Sequence, residues 1–133
     1  MSNLRRHECP FCWLPPERVI ESNGVALAIA DAFPVSPDHS LIIPVRHVVT
    51  FFELSDEEVA AVHGLLRRAK ARLDSSLCPG GYNIGINAGK VAGQSIPHVH
   101  VHLIPRYVGD VADPIGGVRN VIPGCGRYPR NDS

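Results

Sequence analysis

His98-Val99-His100-Val101-His102-Leu103-Ile104-Pro105-Arg106, HVHVHLIPR in one-letter code, spends three of the chain's seven histidines on five positions. An extended backbone would point His98, His100 and His102 to one face and Val99, Val101 and Leu103 to the other. Next neighbours on a face then stand roughly 6.5 to 7 Å apart, close enough for one small ligand to meet all three. Three buried imidazoles are costly unless each is hydrogen-bonded or ligated, so the pattern points to metal ligation, nucleophilic catalysis or an anion site rather than to packing. The preceding loop, AGQS (92–95), favours an anion: backbone N–H groups around Gly93, the Gln94 amide and the Ser95 hydroxyl are donors suited to phosphate or oxyanion oxygens.

Around this segment the pattern is that of one domain. GVALAIADAF (24–33) and HSLIIPVRHVV (39–49) are aliphatic runs separated by PVSPD, which predicts two strands forming a hairpin. LSDEEVAAVHGLLRRAKARLDSSL (54–77) carries helix start signals: Ser55 as N-cap, Glu58 completing a capping box, and acids at Asp56 and Glu57. Val59, Val62, Leu66, Ala69 and Leu73 recur at helical spacing, and Arg67, Arg68, Lys70 and Arg72 form a solvated basic face. CPGG (78–81) stops the helix, and YNIGINAG (82–89) reads as a short strand in which Gly85 suits close approach of a backbone. Several strands with one clear helix and a short N-terminal helical segment give an α+β domain on an antiparallel sheet. The core is expected over about residues 9–123, with 124–133 as a flexible tail.

The 133 residues suffice for a hydrophobic core, and zero formal net charge gives no reason to expect a nucleic-acid or membrane partner. MSNLRRHECPFCWLPPERV has no apolar run suited to a signal peptide, and no stretch reaches the roughly 20 apolar residues of a membrane span. The expectation is a cytoplasmic protein. Of four cysteines, Cys9 and Cys12 form a Cys-x-x-Cys pair, which in a reducing compartment reads as metal-binding or redox-active; Cys78 and Cys125 have no spaced partner.

The run His-φ-His-φ-His-φ-φ from His98 to Ile104 resembles the histidine triad (HIT) family of nucleotide hydrolases and transferases. The resemblance extends to Asn87, to Gly93-Gln94-Ser95, to Pro105-Arg106 with Gly109-Asp110, and to DAFPVSPDHSLIIPVRHV (31–48). It implies that His100 is the nucleophile at a nucleotide α-phosphate, forming a nucleotidyl-histidine intermediate that water opens, with His98, His100, His102 and Ser95 as the catalytic set. A neutral imidazole suits this role, its nonreacting nitrogen donating to backbone. The resemblance further implies that His102 contacts the phosphate and that Gln94 and Ser95 hold the leaving side, Ser95 as proton donor. Asp31 would accept from the ribose hydroxyls, Asn87 would lie near the phosphate, and His39 would orient a triad member.

Cys9, Cys12, His47 and His98 together resemble the zinc site of a subset of the family. Two thiolates and two imidazoles suit a closed, structural zinc centre. A homodimer is implied as well. WLPPERVIES (13–22) departs from the lysine and Gly-Glu-Ile-Pro pattern of many bacterial members, so no residue there is assigned to base recognition. Trp13 is read as an apolar lid, and neither His63 nor His7 gains a role. HVHVHLIPRYVGD resembles the dinucleoside polyphosphate hydrolases more than the phosphoramidases, making a purine nucleotide such as diadenosine tetraphosphate the expected substrate. The alternatives are a nucleoside phosphoramidase and a nucleotide-sensing regulatory module.

Overall fold

A computed structural model describes residue 6 and residues 8–129. His7 and residues 130–133 of the expected tail lie outside the described residues. Five antiparallel strands, β1 (Val19–Ser22), β2 (Ala26–Ala30), β3 (Ser40–Pro44), β4 (Gly81–Ile86) and β5 (Val101–Arg106), form one sheet in the order β1-β2-β3-β5-β4. The predicted hairpin is β2–β3, with Leu27 opposite Ile43 and Ile29 opposite Leu41. β1 is an addition to the sequence reading: VIES is short and half-exposed, so its apolar content alone does not mark it.

The helix α1 (Asp56–Ser76) packs on one face of this sheet. Val62, Leu65, Ala69 and Leu73 meet Ala26 and Ala28 of β2, Ile42 of β3, and Val101 and Leu103 of β5. Alternation therefore sends Val101 and Leu103 to the helix and His102 and Ile104 to the other face, where the site is built. The buried stripe runs through Leu65 rather than Leu66, and Val59 stays exposed.

Glu58 explains the first turn. It is buried, its carboxylate accepts from the Ser55 N–H at 2.9 Å and from the Arg46 fork at 2.8 and 2.7 Å, and its own N–H donates to Ser55 Oγ. With Glu58 turned inward, the neighbouring Val59 faces solvent. Arg46 accordingly holds the Glu58 carboxyl below its ordinary range. Glu58→Ala is expected to cost about 2 to 3 kcal/mol, combining a lost cap with a broken, half-buried ion pair; urea unfolding measures it. On the outer face Arg68 and Arg72 pair with Glu21 of β1, and Lys70 with Asp74, which accounts for three members of the basic cluster within the fold.

β4 is the edge strand beside β5, and Gly85 stands opposite His102. A Cβ added there would meet no atom within 4 Å, so the glycine leaves open space beside the imidazole rather than admitting another part of this chain. Beyond β5 the chain closes through a 3-10 turn, Gly117–Val121. Residues 124–129 fold back on this segment: Gly126 is buried and Arg127 pairs with Asp113. No described helix is long and apolar enough to cross a membrane.

Candidate active site and metal centre

The histidine segment is only partly strand. Regular pairing starts at Val101, and His98 to His100 approach it in an irregular stretch stapled by the Val99 N–H, which donates to Val48 O at 2.7 Å. His100 and His102 remain neighbours, their ring centroids 5.2 Å apart. His98 is 0% exposed, covered by the edge of the Phe11 ring at 5.8 Å between centroids. With His98 wholly buried, a ligand entering from solvent cannot meet all three histidines, and the segment divides between two clusters.

The first centre gathers Cys9, Cys12, His47 and His98, whose donor atoms all lie within 4.8 Å of one another. Cys9 Sγ is 3.4 Å from His98 Nδ1, Cys12 Sγ is 3.2 Å from His47 Nδ1, and Cys12 Sγ is 3.7 Å from His98 Nδ1. Zinc–sulfur and zinc–nitrogen bonds of ordinary length set tetrahedrally would separate S from N by about 3.5 Å, so the spacing fits. Tautomer also fits: His98 Nε2–H donates to Pro44 O at 2.9 Å, which leaves the Nδ1 lone pair toward the sulfurs. Burial raises the Cys9 thiol and pushes His98 down to about 4, as expected where a charge lacks a compensating partner. Four protein donors leave no open position, so these residues fit a structural ion and not a catalytic one.

The second centre is a cavity of about 390 Å³ lined by His100, His102, Ser95, Asn87, Asp31 and Arg18 among others. His100 Nδ1–H donates to His98 O at 2.9 Å, so its Nε2 carries a free lone pair. Phe11 packs edge-on against the His100 ring at 5.3 Å and fixes its plane. The turn that presents the two cysteines thus also supplies a wall of the cavity.

A relay of hydrogen bonds sets His102. The Val35 N–H points at His39 Nδ1 at 3.2 Å, which must therefore accept, placing the proton of His39 on Nε2. That proton reaches His102 Nδ1 at 2.9 Å, leaving His102 Nε2–H as a donor. Asp31 Oδ2 lies 3.4 Å from His39 Nε2, while Asp31 Oδ1 accepts from the Phe33 N–H at 2.8 Å. Burial lowers both His39 and His102, Asp31 opposing it, so both rings favour the neutral form the relay needs. Asp31, His39 and His102 are also close enough to chelate a metal. The Val35 amide argues against that: it forces a proton onto the nitrogen a metal would take.

The AGQS loop differs from expectation. The N–H groups of Ala92, Gly93 and Gln94 all point inward, to Gly89 O, Lys90 O and Gly89 O, in a 3-10 turn that ends on Gly93 at φ 95°. Only glycine adopts this left-handed conformation without strain. The Gln94 amide accepts from the Gly89 N–H at 2.9 Å and donates to Val49 O at 2.6 Å and Ile96 O at 3.1 Å. Gly93 and Gln94 consequently shape the loop instead of offering donors to a phosphate, because backbone partners already consume their groups. Ser95 and Asn87 make no side-chain hydrogen bond among the described residues and face the cavity. Sequence reasoning passed over Arg18, Phe11 and Phe33 in its lining. The signal for Phe11 was its place inside Cys-x-x-Cys; for Arg18 it was the departure of WLPPERVIES from the family pattern.

The chain is similar to known proteins over most of its length. The HIT domain profile matches residues 15–109. An adenosine 5'-monophosphoramidase of Schizosaccharomyces pombe is 34% identical over 103 residues, covering 74% of each chain. An AP-4-A phosphorylase of Mycobacterium tuberculosis is 33% identical over 107 residues, 76% of this chain and 55% of the longer relative. The solved structure of a zinc-bound histidine triad family protein from Mycobacterium smegmatis superposes with a TM-score of 0.70 at 33% identity, covering 80% of each chain. Profile, relatives and fold agree, and the chain belongs to the HIT domain family.

Proposed function

We propose that this protein is a nucleotide hydrolase or transferase that cleaves at the α-phosphate through a nucleotidyl-histidine intermediate. The observation that carries the reading is the His100 tautomer: Nδ1–H is held by His98 O, and the Nε2 lone pair is free in the cavity. Nε2 attacks phosphorus, the P–N bond forms, and the bond to the leaving group breaks with its electron pair. Ser95 Oγ stands as proton donor to that group. The adduct is cationic, and His98 O, already bonded to Nδ1–H, stabilises it without reorganising. Water then attacks phosphorus as the P–N bond breaks with its electron pair returning to Nε2, the water's proton passes back to Ser95 Oγ, and neutral His100 is restored. His102 Nε2–H and the Asn87 amide bind phosphate oxygens, and Asp31 accepts from the ribose hydroxyls.

Dinucleoside polyphosphates are the favoured substrate class, with nucleoside phosphoramidates as the second reading; relatives named for each chemistry support both. Rates on diadenosine tetraphosphate and on adenosine 5'-phosphoramidate decide between them. Intact mass after an alkaline quench tests the intermediate: a nucleoside monophosphate added at His100 is expected. Tight nucleotide binding with neither turnover nor adduct would favour a sensing module instead. Zinc at Cys9, Cys12, His47 and His98, a homodimer and a cytoplasmic location complete the proposal, the first supported by the donor geometry and by the zinc-bound relative.

His39 is a positioning residue in this scheme. His39→Leu removes the proton that sets His102, and kcat/KM is expected to fall about tenfold or more, as for other partners that orient a functional imidazole. His39→Gln retains an N–H donor and should recover part of the loss. Equal loss in both variants would reduce His39 to packing.

A further inference from the structure

The segment WLPPERVIES brings a charged side chain to the nucleotide cavity. Pro15 and Pro16 fix the backbone into a 3-10 turn ending at Arg18, whose N–H donates to Pro15 O at 3.0 Å. β1 then starts with Val19 opposite Ile29, which sets Arg18 beside Ala30 and the adjoining Asp31. Arg18 Nη2 donates to Ala30 O at 2.6 Å, and among the described residues no carboxylate forms an ion pair with it. A guanidinium has five N–H donors and no acceptor, so four remain, on a plane tethered at one end. Phe33, 87% exposed and two residues beyond Asp31, lines the same cavity and offers an aromatic face.

We propose that Arg18 makes the site prefer 6-oxopurine nucleotides, guanine or hypoxanthine, over adenine. This rests on the nucleotide reading above and specifies its base. With the ribose on Asp31 and phosphorus at His100, the base is the part of the ligand left for Arg18 and Phe33. Guanine and hypoxanthine present two adjacent acceptors, O6 and N7, to a donor-only fork, whereas adenine sets its N6 amino donor where an acceptor is needed. Phe33 stacks on any base and contributes affinity without discrimination. The tether to Ala30 O holds the guanidinium in place before the ligand arrives, so little rotamer freedom is lost on binding.

Calorimetric titration with GMP, IMP and AMP tests this without requiring turnover. The expected result is GMP and IMP binding about tenfold tighter than AMP, and Arg18→Met, which keeps the apolar stem, bringing all three together by weakening the first two. AMP binding as tightly as GMP to the wild type would overturn the proposal, as would an equal loss for all three ligands in the variant. GMP alone binding tightly, without IMP, would also overturn it, since the 2-amino group would then be what is read. Should Arg18→Met fail to fold, Arg18→Lys keeps the charge without the planar fork and carries the same comparison. A base preference without turnover would leave this inference standing and remove the catalytic reading; turnover without preference would do the reverse.

Discussion

His100→Ala is expected to lower turnover of whichever substrate proves active by roughly 10⁴-fold or more, the scale seen when a nucleophile acting as part of a unit is removed. Nucleotide affinity should change by no more than about threefold, because the proposed ground-state contacts come from His102, Asn87 and Asp31 and not from the attacking nitrogen. No other group inherits the role. His102 Nε2 carries its own proton, a tautomer set by the hydrogen bonds from Val35 to His39 and from His39 to His102 Nδ1, and His98 is enclosed beneath Phe11 with its Nε2–H on Pro44 O. The mutant should also show no mass adduct. Undiminished turnover by His100→Ala would sink the nucleophile assignment, and a large loss of affinity with little change in kcat would recast His100 as a binding group.

Removing the proposed zinc should produce the largest stability change. Cys12→Ser takes away the thiolate that lies 3.2 Å from His47 Nδ1 and 3.7 Å from His98 Nδ1, and weakens the anchor of the N-terminal segment to the segments that carry them. A ligand bound only by the folded state stabilises by about 4 kcal/mol when its free concentration is 1,000 times Kd. For a domain of this size, that corresponds to a fall in Tm of roughly 10 to 15 °C. Chelation of the wild type should reproduce the drop, and acid should mimic it, because thiols and imidazoles bind a metal only after losing their protons. Substantially less than one zinc per chain in protein purified without chelators, together with a Tm indifferent to chelation, would remove the ion from the account. Because Phe11 lies between the two cysteines and against His100, the stripped protein should also bind nucleotide more weakly, and a titration before and after chelation would detect this.

The hairpin and the capped helix were readable because their causes are local. Ser55 and Glu58 sit three apart, and aliphatic runs flank PVSPD. The inward turn of Glu58 was not readable, since Arg46 reaches it from beyond the helix, and the fully buried stripe runs through Leu65 with Leu66 partly buried against it. Similarly, Gly93 and Gln94 look in sequence like free phosphate donors, yet a 3-10 turn and the Val49 carbonyl consume their hydrogen-bonding groups. The gathering of Cys9, Cys12, His47 and His98 entered through resemblance, and its spacing fits a tetrahedral ion. Arg18 had only an indirect signal, the departure of WLPPERVIES from the family pattern, and the register of β1 against β2 is what brings it to the cavity.

The cysteines lie 89 and 86 residues ahead of the histidine they approach, and His39 lies 63 ahead of His102. A chain made from its N-terminus therefore exposes Cys9 and Cys12 as two free thiols at least until His98 has been made. Both centres are completed almost together, when β5 inserts between β3 and β4. Nascent chains should consequently hold neither a competent nucleotide site nor a closed metal site until the last strand is in place. During that interval the Cys-x-x-Cys pair is open to oxidation, and insertion of β5 ends the exposure.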